Sequence, residues 1–119
     1  MDLETIRQYC LAKPGTTEGL PFDNDTLVFK VLGKIYALLS LDTGETVNLK
    51  CDPQYALELR EQHPEEVMPG YHMNKQHWNT VCFTGRLGDA LLRSLIDHSY
   101  ELVVSKLPKR DQARLADQR

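Results

Sequence analysis

Thr26-Leu27-Val28-Phe29-Lys30-Val31-Leu32-Gly33-Lys34-Ile35-Tyr36-Ala37-Leu38-Leu39-Ser40-Leu41 decides the fold of this chain. Apolar residues recur at every second position on both sides of Leu32-Gly33, the period of a strand with one buried face. In Thr26–Val31, Leu27, Phe29 and Val31 point one way while Thr26, Val28 and Lys30 point the other. Leu32-Gly33 is a tight turn in which Gly takes positive φ without steric cost. In residues 34–41, Ile35, Ala37, Leu39 and Leu41 share one side, with Lys34, Tyr36, Leu38 and Ser40 on the other. A longer turn at Asp42-Thr43-Gly44-Glu45 leads to Thr46–Lys50, where Val47 and Leu49 alternate against Thr46, Asn48 and Lys50. These three strands read as an antiparallel meander with one dry face and one mixed face.

Outward from the meander the period becomes helical on both flanks. Upstream, Asp2 caps a helix with Leu3, Ile6 and Cys10 on one face, halted by Pro14-Gly15, and a loop through Pro21 and Asn24 follows. Downstream, Asp52-Pro53 joins a capping carboxylate to Pro at the first helical position, opening a helix that runs to about His63 and stops at Pro64. Residues 65–73 are weakly extended and interrupted by Pro69-Gly70, which predicts an edge or bulged strand. Residues 78–83 are a clearer strand, rich in β-branched and aromatic side chains. Asp89 opens the longest helix, with Leu92, Leu95, Ile96, Ser99, Val103 and Leu107 along one stripe and Pro108 at its end. The charged residues 109–119 read as a short exposed helix or a frayed tail. The order α-β-β-β-α-β-β-α, without repeats or linkers, predicts one α+β domain over residues 1–119, its helices covering one side of an antiparallel sheet.

A chain of 119 residues buries enough surface to need no metal or disulfide. The three cysteines Cys10, Cys51 and Cys82 are odd in number and far apart, so reduced, buried thiols are expected. No apolar run approaches the roughly 18 residues that cross a bilayer. The opening Asp2-Leu3-Glu4 lacks the basic region and apolar core of a signal peptide, so a cytoplasmic protein without membrane contact is expected.

No catalytic motif is present. His72, His77, Cys51 and Cys82 supply zinc-accepting donor types, but their spacing matches no metal motif, and neither metal nor cofactor is expected. Cys82, between Val81 and Phe83, reads as a sheet filler rather than an activated nucleophile. The glycines fall at turns and form no phosphate-cradling loop. Nothing pairs two carboxylates as acid and base. An enzyme is not expected.

Binding is the sharper expectation. Residues 69–81, Pro-Gly-Tyr-His-Met-Asn-Lys-Gln-His-Trp-Asn-Thr-Val, gather the only Trp and two of the four His among amides and a Lys. On the mixed face of the meander, Lys30, Lys34 and Lys50 are candidate phosphate contacts, with Tyr36, Asn48 and Thr46 between them. Lys30 and Lys34 flank a hairpin tip in the manner of a β-wing. Lys75, His77 and Trp78 add a polar-aromatic contact at the sheet rim. The formal charge of −3 means that such a site needs its cations gathered on one surface. Val28 and Leu38 on that face supply the alternative, an apolar patch for a protein partner or a second copy.

The motifs Leu20-Pro21-Phe22, Val28-Phe29-Lys30-Val31, Gly33-Lys34, Val47-Asn48-Leu49-Lys50-Cys51-Asp52-Pro53, Pro69-Gly70-Tyr71-His72-Met73-Asn74-Lys75, His77-Trp78-Asn79-Thr80-Val81 and Ile96-Asp97-His98-Ser99-Tyr100 follow in order. Running from the first helix to about Pro108, this pattern resembles the MmcQ/YjbR family of small bacterial proteins. The resemblance implies an α-β3-α-β2-α fold like that of type III secretion chaperones, and a double-wing DNA-binding role. The chaperone likeness implies the alternative of a protein-binding module on the open sheet face. The family pattern carries no catalytic residues, so none transfer.

Overall fold

The computed structural model describes residues 1–70 and 73–118. Ten elements follow along the chain: α1 (Leu3–Leu11), β1 (Thr16–Gly19), β2 (Thr26–Val31), β3 (Lys34–Ser40), β4 (Thr46–Lys50), α2 (Pro53–Gln62), β5 (Val67–Pro69), β6 (Trp78–Cys82), α3 (Asp89–Ser105) and α4 (Lys109–Ala116). The strands form a single antiparallel sheet in the order β1-β2-β3-β4-β6-β5. The expected α+β meander is present, and one continuous core lies between it and the helices. Asp2 caps α1 by accepting from the Thr5 amide, and Asp52 caps α2 by accepting from Tyr55.

Two elements add to the expected order. β1 occupies part of the expected loop and pairs along β2, Thr16 opposite Val31 and Gly19 opposite Val28. Four residues are too few to display a period. β1 is held by a tertiary contact instead: the Arg7 fork of α1 grips Glu18 with Nε and Nη2 each at 2.7 Å. The tail is settled as helix α4, because Leu115 is buried in the core beside Gly15. Gly15 has φ +73°, and a Cβ there would lie 2.6 Å from Leu115. The weakly extended segment is a strand only over Val67–Pro69; Tyr71 and His72, the latter one of the weighed zinc donors, lie outside the described residues.

A departure inside the meander matters most. Phe29 pairs with Ala37, but the next residue, Lys30, pairs with Ile35, so Tyr36 is an extra residue in β3. This bulge breaks the strict alternation. Tyr36 and Ala37 are both fully buried, whereas Ile35 shares a face with Lys30. Tyr36 was expected beside the lysines; its ring instead meets Tyr100 edge-on at 5.3 Å and its hydroxyl donates to the Cys10 carbonyl. The bulge leaves two peptide groups outside the β3–β4 ladder. Ser99 of α3 takes both, its hydroxyl donating to the Tyr36 carbonyl at 2.5 Å and accepting from the Lys50 amide at 2.9 Å.

A second polar cluster ties α1 to α3. Asp97 accepts from Lys13 Nζ at 2.5 Å and from the Tyr9 hydroxyl at 2.6 Å. The ammonium also lies 4.9 and 5.1 Å from the Tyr9 and Tyr100 ring centres, within cation–π range. Partial burial pushes the Asp97 carboxyl up, but the bonds from Lys13 and Tyr9 outweigh it and hold it below its ordinary value.

Ser99→Ala is expected to destabilise the protein by about 2 kcal/mol, because it strands a donor and an acceptor away from water; chemical denaturation checks this, and a loss under about 0.5 kcal/mol contradicts it. The depressed Asp97 pKa contributes stability that is present above the ordinary carboxylate range and lost as pH falls through the folded-state value. Half-exposure limits that contribution to about 1 kcal/mol at most. Thermal melts between neutral and acid pH should therefore fall less steeply for Asp97→Asn than for the wild type.

Candidate nucleic-acid interface

The face of the sheet turned away from the helices is built in rows fixed by register. One row crosses all six strands as Gly19, Val28, Leu38, Asn48, Thr80 and Met68. A second carries Thr17, Lys30 and Ile35 on one side of the bulge and the pair Lys50–Trp78 on the other. Thr26 opposite Ser40, and Thr46 opposite Cys82, form a third. With about 4.8 Å between strands, the sheet is roughly 24 Å wide and Lys30 and Lys50 stand roughly 10 Å apart. Val28 is buried, so the apolar patch expected of Val28 and Leu38 is open only at Leu38.

Its electrostatics follow from which residues the register leaves out. Glu18 is the only carboxylate in any of the six strands. It lies opposite Phe29 on the helix side, where Arg7 neutralises it. The uncovered strand positions therefore hold two lysines and no acid. Neither Lys30 nor Lys50 has an ion-pair partner among the described residues. The centre is closed by Thr80, whose hydroxyl donates to Asn48 Oδ1 at 2.6 Å.

The remaining candidates disperse. Lys34 is opposite Val31, a core residue, so the register turns it away from the face of Lys30, and it belongs to the exposed hairpin tip. Leu32 and Gly33 at that tip have φ of 46° and 86°, the left-handed pair of a two-residue hairpin. Lys75 lines a groove of about 410 Å³ with Pro53, Gln54, Leu57, Arg60 and Gln76, against α2 rather than beside Lys50. His77 is half-buried and its carbonyl accepts from the Cys51 amide at 2.7 Å, where β4 runs into α2. Trp78 is half-buried and opposite Lys50, which places it on the uncovered face.

Two features of the site escaped the sequence pattern. Arg60, on α2, donates Nε to Asn79 Oδ1 at 2.7 Å and Nη2 to the carbonyls of Lys75 and Trp78, so one guanidinium holds the turn that presents Trp78. Its signal in the sequence is no more than an Arg on a short helix. The second is Leu20-Pro21-Phe22 in the β1–β2 loop, with Leu20 and Phe22 48% and 64% exposed. Leu20 and Pro21 join Thr17, Gly19, Val28 and Lys30 around a cavity of about 300 Å³ at the edge of the uncovered face. Glu18 also lines it. Asp23 stiffens this loop by accepting from the amides of Asp25 and Thr26. Large apolar side chains in a polar loop are the signal that marks it.

Arg60→Ala is expected to cost about 2–3 kcal/mol, since the buried Asn79 side chain, whose Nδ2 has no partner among the described residues, then loses its bond from Arg60. The Trp78 turn should loosen with it. Denaturation curves and a red shift in tryptophan emission measure the two effects.

The chain matches the YjbR family model over residues 11–102. It is 44% identical over 113 residues to the uncharacterized protein YbdF of Escherichia coli O157:H7, covering 94% of this chain and 92% of that protein. It is 36% identical over 110 residues to the uncharacterized protein YjbR of Escherichia coli K12, covering 92% of each. Among solved structures, Deinococcus radiodurans DR2400, a DUF419-domain protein, superposes with a TM-score of 0.89 at 40% identity, covering 97% of this chain and 88% of the other. A Pseudomonas syringae protein superposes with a TM-score of 0.71 at 30% identity, covering 86% and 98%. None of these names carries an enzymatic activity. By residue match and by fold, this chain belongs to the YjbR family.

Proposed function

We propose that the uncovered sheet face binds nucleic acid, with Lys30 and Lys50 on phosphate oxygens and Trp78 as an apolar plane beside them. The observation that carries this reading is a strand surface free of carboxylates on a chain with a formal charge of −3. Like charges would repel phosphate, and the strand positions turned to that face hold none. The protein then works in the cytoplasm by binding, without catalysing a reaction. Burial pushes the thiols of Cys10 and Cys51 up to about 12, so both stay protonated near neutrality and are poor nucleophiles, which supports a non-catalytic role. Among the described residues no helix is long and apolar enough to cross a membrane.

A second reading, a protein-binding face, is favoured by one observation: Ile35, Leu38 and Met68 stand among the polar residues of the same surface. It competes for the same residues but differs in its response to salt.

The test is a salt series of binding to mixed-sequence nucleic acid for the wild type and the Lys30→Glu/Lys50→Glu double variant. Affinity should fall linearly on a log–log plot, and removing two phosphate contacts should flatten the slope by roughly 1.4 to 1.8. Thermal stability should stay near wild type, because neither lysine is ion-paired among the described residues. Failure to bind at low salt, or indifference to the double change, removes the reading. Light scattering across a concentration series then tests for a second copy on the same face.

A further inference from the structure

We infer that the ligand of this face is a single strand rather than a duplex, an inference that rests on the nucleic-acid reading above. Size decides it. The sheet that carries the face is roughly 24 Å wide, whereas the major groove of a duplex is roughly 12 Å wide and the minor groove roughly 6 Å. A sheet laid flat against an undeformed duplex touches only the outermost phosphates, and without the cost of kinking the duplex the row of Lys30, Ile35, Lys50 and Trp78 does not reach a base. A single strand lies flat along that row.

The chemistry at the two ends of the row fits separated, unpaired bases. At one end stands Trp78, directly across from Lys50. At the other, Lys30 borders the cavity under Leu20 and Pro21, whose volume of about 300 Å³ is at the lower end of those that hold small planar ligands. The next loop residue, Phe22, is 64% exposed, on a loop that Asp23 holds in place. Cations near an aromatic or an apolar slot at each end are what a strand with splayed bases requires, because every base offers a flat face for stacking. Glu18, which also lines the cavity, has its carboxylate held by Arg7 of α1, which limits its repulsion of phosphate.

The experiment measures fluorescence polarisation of a labelled mixed-sequence strand, alone and annealed to its complement, at low salt. The proteins are the wild type, Phe22→Ser and Lys34→Glu, both altered at exposed positions that the fold does not need. The single strand should bind roughly tenfold or more tighter than the duplex and quench Trp78, the only Trp in the chain. Phe22→Ser should weaken single-strand binding roughly fivefold or more and leave the melting temperature unchanged. Duplex binding that equals or exceeds single-strand binding, lost in Lys34→Glu and kept in Phe22→Ser, overturns the inference and moves the contact to the hairpin tip, with the nucleic-acid reading intact. Binding of neither form overturns both and leaves the face to a protein.

Discussion

One hydroxyl lets the rest of the sheet take its shape. The bulge in β3 adds Tyr36 to a strand that would otherwise alternate cleanly, and it parts β3 from β4 beyond Ala37–Leu49. A parted ladder in a buried place leaves peptide groups that neither water nor a neighbouring strand satisfies. Ser99 reaches both from α3. Its position on the apolar stripe of that helix is therefore not a lapse in hydrophobicity. With the gap closed, Tyr36 drives its ring into the core against Tyr100, and Ile35 is turned to the uncovered side. A residue on a helix thus sets what the opposite face of the sheet displays.

The strands β2, β3 and β4 were legible because alternation is a repeating signal, and the helices because Asp2, Asp52-Pro53 and Pro108 mark their ends. What escaped depends on contacts between residues far apart in sequence. β1 is four residues long and is held through Arg7, α4 is held through buried Leu115 and through Gln112, and the peptide groups freed by the bulge are satisfied by Ser99. The candidate site was legible only in part. Lys30 and Lys50 lie on the uncovered face as alternation implies, whereas the face of Trp78 follows only from its pairing opposite Lys50. Tyr36 and Lys34, at and beyond the irregularity, do not lie on it.

Charge follows the same division between strand and non-strand. Outside the strands, carboxylates cap helices, line their solvent faces or sit in the turns that join the strands, as Asp23, Asp25, Asp42 and Glu45 do. Within them only Glu18 remains, and it is turned toward Arg7. An acidic chain keeps the strand positions of one sheet face free of acid in this way, with no surplus of lysine. Net charge was therefore a poor guide to the local field.

The interior of the face limits how much sequence it can read under the proposed function. Asn48 is the one amide there, and its oxygen is already used by the Thr80 hydroxyl. Its Nδ2 faces the Met73 sulfur at 3.9 Å, a weak acceptor that leaves the donor capacity largely unspent. A single free donor distinguishes few bases, whereas stacking and phosphate contact distinguish almost none. Affinity would come from Lys30, Lys50, Trp78 and the loop at Phe22, and discrimination would be slight. Holding the Trp78 turn rigid through Arg60 then has a clear use, since a preformed stacking plane loses less entropy on binding than one that must first be ordered.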